Sequence, residues 1–436
     1  MSHLTDSPAA TTAHLNDERQ LKTAGRSAGA QRQASQLNRF RHGSLLHVKR
    51  PPVALYAMGF LSFFLFGLVQ AGYGPSYPLF GREYGQSATA VGAIASLHFA
   101  ATAVGILALG LLLRRLSLRN SLMIAFLILL LGLLGVALSP AWGLVLASAA
   151  LGGLGYGMLS AGFNLAFAEL GPGPSNLVNG MFGVGSVVSP TVIALMARPN
   201  HAPPFLLMAA LAAALALSVR LLWPKPLAST GPEATPEPVP LVSRRTVGLF
   251  GLCFFLYVGI EAGFGNWATT YLTRLGAAEP AVLTSGYWLA LTAGRFASAA
   301  LGSRLPPRTT ITFATCGAMI GSALMLLGGL RLAPAGLMLA GFCIAPIFSA
   351  QLAWFTRTQR PGLAPYMLMM GGLGGALLPA LTGWALPWLG PASVPLFPLL
   401  ISALLLALVW RLDRLLTLGA AQSAGGWKLP NRAADR

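Results

Sequence analysis

Phe63–Gly74 reads FFLFGLVQAGYG, and Phe254–Gly265, 191 positions further on, reads FFLYVGIEAGFG. Six of the twelve positions are identical, two exchange one aromatic ring for another, and Gln70 is answered by Glu261. At an offset of 189, Ser96, Gly105, Arg115 and Arg119 match Ser285, Gly294, Arg304 and Arg308. The same offset pairs Gly152, Ser160 and Ala161 with Gly341, Ser349 and Ala350, and Met181, Gly183, Gly185 and Pro190 with Met370, Gly372, Gly374 and Pro379. Matches that keep one order and nearly one offset across half a chain mark parallel repeats of a bundle. The chemical difference between the copies, an amide at Gln70 and a carboxyl at Glu261, is the first pointer to function.

Composition places the repeats in a bilayer. Hydrophobic residues make up 55 % of the chain and charged residues 9 %, against about 25 % charged in ordinary soluble domains. The apolar residues run in blocks near the ~20 residues a spanning helix needs. Breaks at charges, Pro and Gly place spans at 53–74, 88–113, 120–139, 142–168, 177–197 and 203–223. The second set falls at 247–270, 281–302, 309–329, 336–355, 365–387 and 392–411. The expected fold is an all-α integral membrane protein, twelve transmembrane helices in two pseudo-symmetric six-helix bundles. Its parts are a disordered cytoplasmic tail (1–51), a bundle (52–223), a Pro-rich cytoplasmic linker (224–246), a second bundle (247–412) and a cytoplasmic tail (413–436).

The net charge of +18 follows from this topology and does not imply nucleic acid. With the N-terminus inside, 24 of the 29 Lys and Arg lie on the inner side; Arg82, Arg198, Arg274 and Arg331 fall outside and Arg295 within a span. That is the positive-inside bias of an inserted bundle. Residues 1–50 hold no apolar run that reads as a signal peptide. The expected location is a bacterial inner (plasma) membrane with both termini cytoplasmic. Cys253, Cys316 and Cys343 all fall in spans and form neither a disulfide framework nor a metal spacing. No phosphate-binding loop or nucleophile–base pair is recognisable, so the sequence implies no cofactor and no enzyme. The expected partners are a small-molecule solute, protons and membrane lipid, with the chain acting as a monomer.

Six plus six spans with parallel repeats resemble the major facilitator superfamily of secondary transporters, over about residues 52–412. Its loop signature G-x-x-x-D-R-x-G-R is similar to Gly110-Leu-Leu-Leu-Arg114-Arg115-Leu116-Ser117-Leu118-Arg119, with Arg114 in place of the acid and Ser117 in place of the second glycine. The seventh span, Tyr257-Val-Gly259-Ile-Glu261-Ala-Gly263-Phe-Gly265-Asn266-Trp267-Ala-Thr-Thr-Tyr271-Leu272, resembles the Gly-x-Glu-x-Gly…Trp…Tyr-Leu pattern of sugar-permease-like members. Asn179-Gly-Met-Phe182-Gly183-Val-Gly185…Pro190 fits the same branch. Fucose permeases carry acids in their first and fourth spans, whereas here the first has Gln70 and Glu169 ends the fourth, so a fucose assignment does not transfer.

Charges in the bilayer cost at least ~2.5–3.5 kcal/mol at a helix centre, so each needs a reason. Counted from the inner end of its span, Glu261 lies ~21 Å deep, just outward of the middle of a ~30 Å core. A carboxyl removed from water can exist in either protonation state. Protonated, it donates a hydrogen bond to a bound hydroxyl; ionised, it accepts only. This suits Glu261 to proton coupling, the alternative being a Glu fixed to a neighbouring polar helix. Arg295, counted ~21 Å inward from the outer face, falls ~12 Å below Glu261. It is therefore expected to snorkel or brace carbonyls at the inner gate.

Gly72, Gly74, Gly263 and Gly265 are expected to weaken the first and seventh helices where broken helices build central sites. The candidate solute-binding set is Gln70, Asn164, Glu261, Asn266, Trp267, Tyr287 and Gln351: aromatic faces for apolar ring C–H groups, amides for hydroxyls. Tyr271 and Trp288 are further aromatic candidates. For Trp267, Tyr271, Tyr287 and Trp288 an interfacial aromatic belt is an equal alternative. Gly110, Arg115, Arg119, Glu169 and Arg295 form the candidate gating and structural set, Glu169 pairing with Arg115 or Arg119. His98 reads as satisfied by packing and one hydrogen bond. Glycine stripes at 180–185 and 371–375 read as close helix contacts. The function these residues suggest is proton-coupled transport of a small, sugar-like solute by alternating access. A proton-driven exporter of amphipathic compounds is the alternative. An intramembrane enzyme would want more reactive groups together, and a sensor a folded output domain.

Overall fold

The structure, a computed structural model, describes residues 53–168, 170, 172–223, 244–301, 305–359 and 363–425. The expected tail at 1–51, nearly all of the linker, Glu169 and Arg304 lie outside these residues. The first half contains α1 (Val53–Tyr84), α2 (Ala88–Leu112), α3 (Leu118–Leu138), α4 (Trp142–Ala168), α5 (Pro172–Met196) and α6 (Ala202–Leu222). The second contains α7 (Arg244–Arg274), α8 (Pro280–Leu301), α9 (Pro307–Ile344), α10 (Ile347–Thr358), α11 (Ala364–Leu389) and α12 (Ser393–Gly425). Local signals start several of them: the Ser87 and Ser117 side chains cap α2 and α3 by accepting from the Ala90 and Asn120 amides.

Among the described residues, nine stretches are long and apolar enough to cross a membrane. Two of them, Pro307–Thr358 and Tyr366–Leu418, run 52 and 53 residues, more than twice the length one crossing takes. Each therefore crosses twice, and Pro280–Leu301 supplies the twelfth crossing. The first long stretch turns at Gly329, whose φ of 51° and ψ of −148° lie where only glycine is at ease. The tenth crossing then continues through α10. The second turns at a short 3₁₀ segment, Gly390–Ala392. Large apolar side chains cover the outside, Leu327 at 87 % and Trp388 at 79 % exposed, as a lipid-solvated surface requires.

The repeat is visible in the packing. Within the first half α1 lies on α5 and α3 on α6; in the second, α7 lies on α11 and α9 on α12. A Cβ added to Gly185 would sit 2.0 Å from the Phe64 carbonyl oxygen, and one added to Gly374 would sit 1.8 Å from that of Phe255. These are the same contact in the two copies, since Phe64 pairs with Phe255 and Gly185 with Gly374 in the repeat. Across the junction α2 packs on α11, α5 on α8 and α1 on α7.

Two expectations are corrected. Helices α1 and α7 run unbroken through their glycine pairs and beyond the expected ends, to Tyr84 and Arg274. The glycines act as contact points instead: a Cβ on Gly74 would lie 2.6 Å from the Gly265 carbonyl oxygen and 2.8 Å from Asn266 Cα. The two copies of the opening motif thus touch at their ends.

Candidate functional site

Glu261 lies on the buried face of α7, its side chain 8 % exposed. One carboxylate oxygen, Oε1, accepts from Arg295 Nη2 of α8 at 3.0 Å. The other, Oε2, accepts from the Tyr257 hydroxyl one helical turn earlier. Tyr287 of α8 donates to the Glu261 backbone carbonyl at 3.1 Å, fixing α7 against α8 beside the pair. The Arg295 guanidinium, 31 % exposed, also lies over the Phe182 ring of α5, 5.6 Å from its centroid. One cation therefore touches a carboxylate in its own half and an aromatic face in the other.

The close pairing overturns the ~12 Å separation expected from helix rise and the expectation of a snorkelling Arg295. The physical reason lies in helix length. Because α7 continues to Arg274 and α8 begins at Pro280, both residues are best counted from the turn that joins them. Glu261 lies 13 residues before that end and Arg295 15 residues after the new start, a difference of ~3 Å in depth.

Facing the pair from the first half, Gln70 Oε1 accepts from the Tyr156 hydroxyl of α4 at 2.9 Å. Behind Tyr156, His98 is buried, its Nδ1 3.2 Å from the Tyr73 hydroxyl and its ring 5.2 Å from that of Tyr156. His98 and Tyr287 are repeat equivalents. Each stacks on the equivalent aromatic of the preceding helix, Tyr73 at 5.1 Å and Phe264 at 6.0 Å.

The other expected ligands are placed elsewhere. Asn164 is half-buried and donates to Ser160 O in its own helix at 2.9 Å. Gln351 is buried; its Nε2 donates to Cys253 O at 3.3 Å, and its Oε1 has no protein partner among the described residues. Asn266 is buried with Nδ2 likewise unpartnered. Trp267 is buried where the ends of four helices meet. Its Nε1 donates to Pro379 O at 2.8 Å, its ring presses on Gly92 of α2 and Gly383 of α11, and Tyr77 of α1 meets it edge-on at 5.0 Å. Trp267, Tyr271, Tyr287 and Trp288 are all buried within the protein, which excludes the lipid-facing belt for them. At the same ends of the helices, a cleft of about 480 Å³ opens between α1, α5, α7 and α8, lined among others by Pro75, Pro78, Ala197, Thr273 and Glu279.

Of the gating set, Arg119 donates to the Arg220 carbonyl, tying α3 to the end of α6. Its repeat equivalent Arg308 pairs with Asp413 at 2.8 Å and stacks 4.3 Å from the Trp410 ring, tying α9 to α12. Gly110 and Arg115 lie at and just beyond the exposed C-terminal end of α2. Sequence reasoning missed Tyr257, Tyr156 and Phe182. Only Tyr257 carried a signal, its i, i+4 spacing to Glu261.

Residues 59–357 match the sequence profile of the Major Facilitator Superfamily. A putative glucose/galactose transporter of Helicobacter pylori (strain J99) is 28 % identical over 185 residues, 41 % of this chain and 45 % of that relative's length. The chain thus spans under half of that curated relative. Among solved structures, the nucleoside transporter NupG aligns with a TM-score of 0.64 at 16 % identity, covering 83 % of this chain and 98 % of that one. A single-residue variant of the E. coli fucose:proton symporter FucP aligns at 0.58 and 17 % identity, covering 82 % and 98 %. With the profile matching well over half its residues and the twelve crossings in two repeated halves, this multi-pass membrane protein belongs to the Major Facilitator Superfamily, a family of transporters and not of enzymes.

Proposed function

We propose that the protein is a proton-coupled secondary transporter of a small, neutral, sugar-like solute, working by alternating access between its two halves. The observation that carries this reading is the Glu261 carboxylate held by Tyr257 and Arg295 at the junction of the halves. Ionised, Glu261 occupies the Tyr257 hydroxyl and an Arg295 donor. Protonated, it loses the counter-charge that holds Arg295, keeps one carbonyl oxygen as an acceptor and gains a donor of its own. A carboxyl O–H for a solute hydroxyl is then present, and the Arg295 charge unspent, only when the proton is aboard, which is the requirement for symport. Gln70, fixed by Tyr156, offers its amide from the opposite half. Gln351 Oε1 and Asn266 Nδ2 are buried polar atoms awaiting a partner, a costly condition that suits groups exchanging partners during a cycle.

The contact of Gly74 with Gly265 and the wedging of Trp267 between Gly92 and Gly383 support a state closed at the outer ends of α1 and α7. "Outer" here follows from the basic residues of the opposite loops, which support a bacterial inner membrane location with cytoplasmic termini. The names of the relatives, a putative glucose/galactose transporter and a fucose:proton symporter, agree with the solute class.

The test is counterflow and pH-driven uptake of labelled hexoses in proteoliposomes, wild type beside Glu261→Gln. We expect the mutant to exchange solute yet fail to accumulate it against a pH gradient. Equal accumulation with equal pH dependence in both proteins overturns coupling through Glu261. If neither moves any hexose, the neutral-sugar reading is lost and amphipathic compounds are the next solutes to assay.

A further inference from the structure

Arg295 is the one described side chain seen to touch both Glu261 and the opposite half through its charge. Its Nη2 meets Glu261 Oε1 at 3.0 Å on α7, and its guanidinium covers the Phe182 ring of α5 at 5.6 Å, inside the ~6 Å range of a cation–π attraction. Around this contact α5 and α8 are closely seated. A Cβ on Gly183 would sit 2.6 Å from Thr292 Oγ1, and one on Gly180 would sit 3.1 Å from the Phe296 ring. Further along, Thr191 and Ser285 hydroxyls meet at 3.0 Å. The Phe182 carbonyl in turn faces Gly67 of α1, 2.1 Å from where a Cβ would be. Phe182 is therefore held firmly at the junction, so a change in its attraction for Arg295 is felt by the half that carries it.

We propose that Phe182 is a positioning residue for proton coupling: through the Arg295 guanidinium it conveys the charge state of Glu261 from one half to the other. This rests on the reading of Glu261 as the coupling carboxyl. With Glu261 ionised, the guanidinium is pinned between carboxylate and ring, and α5 is bound to α8. When Glu261 takes a proton, its oxygen no longer supplies the counter-charge. The guanidinium then re-orients towards water or solute, and its hold on Phe182 changes with it. The other titratable groups facing the pair are the phenols of Tyr257 on α7, Tyr287 on α8 and Tyr156 on α4. Phenols ordinarily ionise only at about pH 10, and the nearest imidazole, His98, lies behind Tyr156 with its ring 5.2 Å from that phenol and its Nδ1 3.2 Å from the Tyr73 hydroxyl. Met or Leu at 182 would pack comparably but offers no π face.

The experiment reads the distance between the halves directly, with no solute present. Spin labels at Ala168 and Thr356, exposed at the ends of α4 and α10, are measured across a pH series in nanodiscs. Wild type is compared with Phe182→Leu, Phe182→Trp and Glu261→Gln. The expected result is a pH-dependent distance distribution in wild type and Phe182→Trp that is flattened in Phe182→Leu and in Glu261→Gln. In proteoliposomes Phe182→Leu should keep exchange while its accumulation ratio falls by about two- to fivefold, the order of a partly exposed cation–π contact. Titration of Phe182→Leu like wild type while Glu261→Gln is flat overturns the role of Phe182 and leaves the coupling carboxyl standing. Flattening by Phe182→Trp as well would mean packing, not the aromatic face, and also overturns it. If Glu261→Gln titrates like wild type, both readings fail together.

Discussion

At the scale of single residues, the pair Glu261–Arg295 places a buried carboxylate and its counter-charge where the two halves meet. A carboxylate 8 % exposed is tolerated because its two oxygens are filled by a guanidinium and a phenol. Breaking a fully buried pair from one side costs ~3–5 kcal/mol. Arg295 is 31 % exposed, and water screens part of that. We therefore expect Arg295→Leu to cost about 1–2 kcal/mol, read as a lowered Tm of the purified protein. Glu261→Gln combined with Arg295→Leu should recover most of the loss, since no unpaired charge remains. Failure of the double variant to recover would mean that Arg295 serves packing more than charge. Glu261 was legible in the sequence from its cost in the bilayer and its mismatch with Gln70. Its partner was not, because depth along a helix depends on where the helix ends. Phe182 was invisible as well: an aromatic among glycines in an apolar span carries no mark of the cation that will lie on it.

At the scale of helices, the twelve crossings were legible from hydropathy, their lengths less so. Pro75 and Pro78 lie inside α1, where sequence rules for soluble proteins would end a helix. In a bilayer neighbouring helices satisfy the freed carbonyls and the helix runs on. The glycine stripes were read correctly as contacts, though the glycines of the opening motif were expected to loosen helices and instead join them. The matched pair Gly185 and Gly374 gives a sharp test of the repeat. Each faces a backbone carbonyl at a distance that leaves no room for a methyl group. Gly185→Ala and Gly374→Ala should each destabilise by about 1–3 kcal/mol, the scale of overpacking, and to a similar extent. Thermal unfolding of the two variants side by side checks this, and a large disparity would deny the equivalence of the contacts.

At the scale of the whole molecule, two halves are joined along three seams, α1–α7, α2–α11 and α5–α8. The α1–α7 seam closes on Gly74, against the backbone of Gly265 and Asn266. A large side chain there should hold the outer ends apart. We expect Gly74→Trp to raise the reactivity of a cysteine at Ala197, in the neighbouring cleft, towards a membrane-impermeant thiol reagent added outside. The background would lack Cys253, Cys316 and Cys343. Unchanged reactivity would place the outer closure elsewhere. The halves themselves were legible through the repeat, but which helix ends meet across the junction was not, since hydropathy marks spans and not their partners.

The unequal pair at the centre of the repeat also has an energetic consequence. Duplication supplied two equivalent positions, and only one of them, Glu261, can carry a proton; Gln70 cannot. A carrier coupled through that single carboxyl moves one positive charge inward with each neutral solute molecule. One charge crossing a potential of 100 mV releases about 2.3 kcal/mol, which sustains a solute gradient of roughly fifty to one. A second carboxyl at position 70 would square that ratio while doubling the protons spent on every molecule. Under the proposed coupling, the amide would hold the carrier to the lower gear: a shallower gradient, kept with half the proton traffic.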